Sequence, residues 1–246
     1  ASAGTPAAIT VAGSVLGASD GVGTVQITNT GGTTFSGTVG NTANTLALIN
    51  IDQDTTFSGS VEATDINNAA STTATFSDNV TATITNSGTL LFNATDAKSV
   101  TGTIAEAAGG DTTEVQVINS ANGEAPSVVT FTGTVVADTL TVGSLSNGGA
   151  ALFEEAVTVP TINITGANSA DEDSTATFNK AVTASSGITL NDSAGDAKVI
   201  FAANNSVTIT GTIDGASSDE GTIQVTGATK TFSGAIGTTQ ALTLID

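Results

Sequence analysis

The sequence predicts an all-β protein built as a parallel β-solenoid, in which coils of about 20–25 residues stack on one another. Three observations support this prediction. A five-residue phrase beginning with Phe recurs along the chain, apolar and polar residues alternate in short runs, and the composition disfavours helices. Together these features indicate one small structural unit repeated many times.

The recurring phrase consists of Phe, three mostly small or polar residues, and then Val or Ile. All but two of the nine Phe begin such a phrase, and Phe92 and Phe201 stand in looser variants of it. In a solenoid we expect each Phe to point inward and to stack on the Phe of the next coil. The interval from Phe92 to Phe131 is close to two units, which suggests that one coil, near residues 114–118, has lost its Phe. The complete phrases begin at Phe35, Phe57, Phe76, Phe131, Phe153, Phe178 and Phe232.

Short alternating runs account for the predicted strands. Residues 80–85, 157–164 and 206–213 show the apolar and polar alternation of strands with one buried face. Clusters of Gly, Asn, Asp and Ser, which are turn residues, separate the runs. No stretch has the spacing of an amphipathic helix.

Glycine recurs inside the phrase, where it could suggest a phosphate-binding loop. The chain has no Gly-x-x-x-x-Gly-Lys motif, however, and the register within the repeat explains these residues as tight turns or points of close backbone approach. The positions concerned are Gly37, Gly59, Gly133 and Gly234.

The composition agrees with strands and turns. Hydrophobic residues make up 39% of the chain, but aromatic residues only 4%, and all of these are Phe. The core must therefore consist of Val, Ile, Leu, Ala and Phe, many of which suit a pleated surface. Lys and Arg together number 4, so long helix-forming side chains are scarce.

A longer repeat overlies the short one. Residues 9–27 match residues 207–225 without a gap, and a middle copy begins at Val100. We therefore predict super-repeats near 7–98, 99–205 and 206–246 within one continuous solenoid spanning 1–246. The third copy stops where the first continues into another coil, which suggests a fragment of a longer repeat protein.

Tandem immunoglobulin-like β-sandwiches are the alternative architecture, because the super-repeat is about a hundred residues long. Three features favour the solenoid. The short period is smaller than a sandwich domain, the chain has no Trp or Tyr, and its 3 Pro form no domain linker.

Charge and missing residue types exclude several functions. The net charge of −19 disfavours nucleic-acid binding, which requires Lys and Arg. No apolar run is long enough to insert into a membrane. Without His or Cys the chain cannot form the usual triads or thiol nucleophiles. Paired carboxylates such as Glu154 and Glu155 are compatible with a glycosidase. The chain has no Trp or Tyr to stack on a sugar ring, however. We therefore predict that the chain is not an enzyme.

Acidic clusters in turn-like segments suggest calcium as the one candidate cofactor, because hard oxygen ligands on loops suit Ca²⁺. The chain contains neither an EF-hand loop nor a Gly-Gly-x-Gly-x-Asp nonapeptide. Ordinary solvated carboxylates are the alternative interpretation. The candidate ligands are Asp171, Glu172, Asp173, Asp219 and Glu220.

The Phe-Ser-Gly-x-Val phrases, the Ala-Thr-Phe-x-x-x-Val variants at 74–80 and 176–182, and the acidic, cysteine-free composition resemble large bacterial surface proteins. These include β-helical autotransporter or filamentous-haemagglutinin-like adhesins and surface-layer proteins. The resemblance implies a secreted scaffold at the bacterial cell surface with no catalytic residues. We therefore expect a self-associating structural protein of an extracellular surface layer, sheath or filament. The alternative is the stalk of an adhesin whose other domains bind a surface or a glycan.

Overall fold

The computed structural model describes residues 6–109, 112–118 and 125–246 and shows a parallel β-solenoid of about ten coils. The predicted span 1–246 also includes residues outside these ranges. Every strand pair in the described ranges is parallel, and no helix is found there. The solenoid prediction is confirmed. The sandwich alternative is wrong, because sandwich sheets consist of antiparallel strands.

Twenty-five short strands form the coils. They are β1 (Ile9–Val11), β2 (Thr24–Ile27), β3 (Thr33–Phe35), β4 (Leu46–Ile51), β5 (Thr55–Phe57), β6 (Val61–Asn68), β7 (Thr73–Phe76), β8 (Val80–Asn86), β9 (Thr89–Phe92), β10 (Lys98–Thr101), β11 (Ile104–Glu106), β12 (Glu114–Val117), β13 (Val128–Phe131), β14 (Val135–Val136), β15 (Thr139–Val142), β16 (Ala150–Phe153), β17 (Val157–Thr165), β18 (Ser174–Phe178), β19 (Val182–Asn191), β20 (Ala197–Phe201), β21 (Val207–Thr210), β22 (Ile213–Gly215), β23 (Thr222–Val225), β24 (Lys230–Phe232) and β25 (Leu244–Ile245).

Inward residues of successive coils align in three ladders, which we number in the order in which the chain visits them. Ladder 1 consists of Val11, Phe35, Phe57, Phe76, Phe92, Val117, Val142, Ile164 and Leu190. Ladder 2 consists of Val15, Val39, Val61, Val80, Val100, Phe131, Phe153, Phe178, Phe201 and Val225. Ladder 3 consists of Val25, Ile49, Ile66, Ile84, Ile104, Val135, Val157, Val182, Ile209 and Phe232.

One Phe occupies each layer of the core from the coil of Phe35 to the coil of Phe232. Four successive Phe lie on ladder 1, the next four on ladder 2 and the last on ladder 3. The rings nevertheless form one column, with neighbouring centroids 4.9 Å apart at the closest and 5.9 Å at the widest. The predicted stacking of Phe on Phe is therefore confirmed, and the column passes from one ladder to the next.

The long interval between Phe92 and Phe131 has a different explanation from the one that the sequence suggested. Val117 does replace Phe on ladder 1, one coil after Phe92. The layer that contains Val117 has not lost its ring, however, because Phe131 supplies it from ladder 2. The interval thus consists of one coil plus one step between ladders. Spacing along the chain alone did not distinguish this arrangement from two coils of which one lacks a Phe.

The glycines of the phrase lie where two backbones meet. A Cβ atom on Gly133 would lie 2.1 Å from the carbonyl oxygen of Gly102, one coil earlier. The same addition at Gly59 would come within 2.7 Å of the Gly37 carbonyl oxygen. These corners therefore require glycine for its lack of a side chain, as the sequence predicted.

Candidate functional site: an acidic corner of the solenoid

Three successive coils carry an acidic turn at the same place, where the chain passes from ladder 1 to ladder 2. The turns follow β17, β19 and β22 and precede β18, β20 and β23. We call this surface the acidic corner. It contains Asp171, Glu172, Asp173, Asp192, Asp196, Asp219 and Glu220.

The five predicted calcium ligands lie on this corner, but one coil lies between their two groups. Asp171 and Asp173 are exposed, whereas Glu172 is buried with 2% of its surface accessible. Within residues 6–109, 112–118 and 125–246, no three or more acidic side chains are close enough to form a ready metal site. The structure thus brings the candidates to one corner without joining them into one ligand set, and calcium binding stays a prediction.

The coil between the two groups carries Asp192 and Asp196, which are not among the five predicted ligands. Asp192 accepts hydrogen bonds from the backbone N–H of Ala197 at 2.7 Å and of Gly221 at 2.8 Å. Asp173 accepts one from the backbone N–H of Asp196 at 2.9 Å. Two of these contacts cross from one coil to the next, so the carboxylates hold neighbouring turns together.

Partial burial and two neighbouring carboxylates perturb the pKa of Asp196. Partial burial raises the pKa of its carboxyl group above the ordinary value, and the negative charges of Asp173 and Asp192 raise it further. The corner therefore concentrates negative charge, and the Asp196 carboxyl group holds its proton more readily than an isolated turn carboxyl group would.

The turn of Asp219 and Glu220 is held by one internal hydrogen bond and by contacts with the neighbouring coils. Glu220 accepts a hydrogen bond from the backbone N–H of Ser217 at 3.0 Å. Asp219 has a positive φ of 64°, a left-handed conformation that Asp tolerates better than most residues. The Thr243 hydroxyl donates to the backbone carbonyl of Asp219 at 2.6 Å. These hydrogen bonds fix the position of the turn.

Outside the acidic corner, Asp78 shows the opposite electrostatic behaviour. Its carboxylate lies 3.0 Å from the Lys98 ammonium group, which comes from the next coil. Partial burial raises the pKa of Asp78, but the hydrogen bond from the backbone of Asn79 and the charge and hydrogen bond of Lys98 outweigh burial and lower the pKa overall.

A buried amide ladder was not anticipated from the sequence. Asn68 and Asn86 are 2% and 0% exposed at the turn from ladder 3 to ladder 1. Asn68 donates to the Asn86 side-chain oxygen at 2.9 Å, and Asn86 donates to the carbonyl of Gly88 at 2.8 Å. The only sequence signal was Asn at the same register in two coils, which is common in a chain rich in Asn.

Glu154 and Glu155, the alternative acid pair, lie at the turn between ladders 2 and 3. Both are exposed and line a shallow depression of about 360 Å³. The Lys180 side chain and three Asn residues complete its lining. The pair is therefore adjacent to a positive charge and surrounded by amide groups.

Comparison with known proteins assigns the chain to no family. The chain shows no significant match to protein-family models, to curated proteins or to solved structures. In the part of the chain that the structure describes, no helix has the length and apolar character needed to cross a membrane. Any functional conclusion therefore depends on the geometry and chemistry of the solenoid.

Proposed function

We propose that this chain is a non-catalytic structural rod of an extracellular surface layer, sheath or filament. The observation that carries the proposal is the column of nine Phe rings, which continues through every layer from Phe35 to Phe232. Such a core repeats one packing solution along an axis, which suits a spacer or scaffold. The extracellular location is supported by the resemblance in repeat style to bacterial surface proteins.

Outward side chains also support a scaffold. Asn67 donates to Asn50 at 3.0 Å, and Asn50 donates to Gln26 at 2.9 Å, so an amide ladder joins three coils on the outer surface. Together with Asp173 and Asp192, these residues link one coil to the next. The polar side chains thus contribute to the stiffness of the stack.

Self-association of the rod requires its charge to be compensated. A net charge of −19 makes two copies repel each other at low ionic strength. Divalent cations bound by Asp171, Glu172, Asp173, Asp219 and Glu220 would reduce this repulsion, since carboxylate oxygens are the ligands that Ca²⁺ prefers. We therefore include calcium-dependent assembly in the proposal.

The same charge favours one alternative, the stalk of an adhesin. A stalk projects another domain and works as a single rod, so mutual repulsion would help to keep stalks apart. Binding to a surface or a glycan would then belong to other domains. The two functions differ in whether the rod associates with itself.

Electron microscopy and sedimentation of the purified chain, with Ca²⁺ and with EDTA, distinguish them. We expect ordered filaments or layers with Ca²⁺ and smaller species after chelation. A matched variant, Asp171→Asn with Asp173→Asn and Asp219→Asn, should require more Ca²⁺ to assemble while the coils stay folded. Single rods under every condition would contradict the structural proposal and favour the stalk.

A further inference from the structure

The shallow depression at the turn between ladders 2 and 3 lies where the repeated phrase departs from its usual form. In most of the complete phrases the third residue is Gly. In two successive coils this position is occupied by Glu155 and then by Lys180. The following coil passes from ladder 2 to ladder 3 through a longer turn, which contains Asn204 and Asn205. Three neighbouring coils therefore carry larger polar side chains at this corner.

One further complete phrase lacks this Gly, and there the replacement has an internal role. Asp78 stands at the third position and contacts the Lys98 ammonium group at 3.0 Å. The next residue, Asn79, accepts a hydrogen bond from the backbone N–H of Ser99 at 2.9 Å. Both side chains connect one coil to the next, so the stability of the stack explains this departure from the phrase.

The side chains around the depression have no such internal role. Within residues 6–109, 112–118 and 125–246, none of them forms a hydrogen bond or an ion pair with another residue. Departures that collect on one face of a repeat protein often form its binding face. The depression of about 360 Å³ therefore offers unused hydrogen-bonding groups to a ligand. Its lining residues are Glu154, Glu155, Asn179, Lys180, Asn204 and Asn205.

The chemistry of the lining selects one class of ligand. Carboxylates accept hydrogen bonds, the ammonium group donates them, and the amides do both, so a ligand rich in hydroxyl groups can satisfy all of them. The positive charge of Lys180 disfavours a metal ion, and the two glutamates on a chain of net charge −19 disfavour a polyanion. The lining residues are all polar, which disfavours an apolar ligand. We propose that the depression binds a neutral oligosaccharide along the axis of the rod, across three coils that span about 10 Å.

This inference goes beyond the proposed structural function, because it gives the rod itself a ligand. It does not depend on self-association, since the lining belongs to one chain. The lining has no aromatic ring to stack on a sugar, so hydrogen bonds supply the affinity and we expect weak binding. Saturation-transfer NMR, which detects weakly bound small molecules, is therefore the suitable measurement.

The experiment uses the full chain with maltotriose, cellotriose and chitotriose as probes, and trilysine as a basic peptide for comparison. We expect saturation transfer to at least one of the three sugars. The variant Glu155→Gly with Lys180→Gly restores the usual phrase of the repeat and should reduce that transfer severalfold. Asn204→Ala with Asn205→Ala changes only the exposed turn of the third coil and should also reduce it, which keeps the test valid if the first variant does not fold.

The matched control is Asp78→Gly with Lys98→Gln, which makes the same change in charge at the other phrase that lacks Gly. This variant should bind the sugar as the wild type does. Circular dichroism at the temperature of the NMR experiment shows that each variant is folded.

Three results would overturn the inference. Transfer to none of the three sugars shows that the depression is not a saccharide site. Transfer to trilysine alone shows that it takes a basic peptide instead. Sugar binding that is unchanged in both depression variants places the site elsewhere on the chain. Each of these results leaves the proposed structural function intact, because that function is tested by assembly and not by sugar binding.

Discussion

The rings of Phe92 and Phe131 meet edge to face, with centroids 5.1 Å apart and planes at 89°, although the two residues belong to different ladders. Phe201 and Phe232 repeat the arrangement at 5.4 Å and 78°. The other six neighbouring pairs are stacked. The change in geometry therefore occurs only at the two steps between ladders.

Edge-to-face and offset stacked pairs are both favourable arrangements of aromatic rings, each worth about 0.5–1.5 kcal/mol beyond buried area. The step between ladders thus keeps the column of rings in contact. This explains how the column of Phe rings can pass from one ladder to the next without leaving an underpacked layer of small residues.

Gly133→Ala should destabilise the fold because its Cβ atom would lie 2.1 Å from the carbonyl oxygen of Gly102. Backbone must move to relieve this contact, at a cost of about 1–3 kcal/mol. Gly13 has the equivalent place in residues 11–15, where Val11 replaces Phe, but a new Cβ there would have nothing within 4 Å, so Gly13→Ala should be neutral or stabilise by about 0.4–1 kcal/mol. Urea unfolding of both variants measures the difference, and equal effects would contradict the close approach.

Asn86→Ala should lower the free energy of unfolding by about 1–3 kcal/mol. The change removes the Asn86 oxygen that accepts from the buried Asn68 amide and from the backbone N–H of Gly88, and it removes one of two donors to the Gly88 carbonyl. Asn67→Ala is the matched control, since it removes an exposed amide hydrogen bond to Asn50 and should change stability by no more than about 0.5 kcal/mol. If both variants unfold at the same urea concentration, the buried ladder does not contribute as described.

Asp196→Asn should raise the melting temperature at neutral pH in EDTA. The pKa of Asp196 is raised in the folded state, so its ionised form costs stability above that pKa, and the folded state gains stability as the pH falls towards the ordinary value of 3.8. The advantage of the variant should disappear below that value, where the carboxyl group is protonated in both states. A variant that is equally stabilising at acidic and neutral pH would rule out this electrostatic cause.

Asp78→Asn should have the opposite effect and lower the melting temperature at neutral pH. The pKa of Asp78 is lowered in the folded state, so its contribution is present above the ordinary value of 3.8 and is lost as the pH falls through the folded pKa. The two variants therefore serve as controls for each other in one series of thermal melts. A melting temperature unaffected by Asp78→Asn would show that the Lys98 contact is not stabilising.

The sequence was sufficient to predict the solenoid, the inward Phe and the glycine corners, because each depends on a local pattern that repeats. The sequence was not sufficient to predict that the column of Phe rings passes from one ladder to the next. Spacing along the chain does not reveal whether Phe131 continues the ladder of Phe92 or begins the next one. The acidic corner depended in the same way on which turns stack, and only the register shows that the turns of residues 171–173, 192–196 and 219–220 lie on successive coils at one corner.

The layer of Val117, Phe131 and Val135 offers the most direct test of the claim that one ring fills each layer. Phe131→Ala should cost about 3–5 kcal/mol, as expected for a large buried aromatic residue. Val117→Phe alone should cost about 1–3 kcal/mol through overpacking. Phe131→Val alone should leave a cavity.

The double variant Val117→Phe with Phe131→Val restores one ring to the layer, now on ladder 1 above Phe92. The measurement is the coupling free energy from urea unfolding of the wild type, the two single variants and the double variant. We predict that the free energy of unfolding of the double variant exceeds, by about 1–3 kcal/mol, the value expected from adding the effects of the two single variants. Additivity within about 0.5 kcal/mol would contradict the account, because the two positions would then not share one layer of the core.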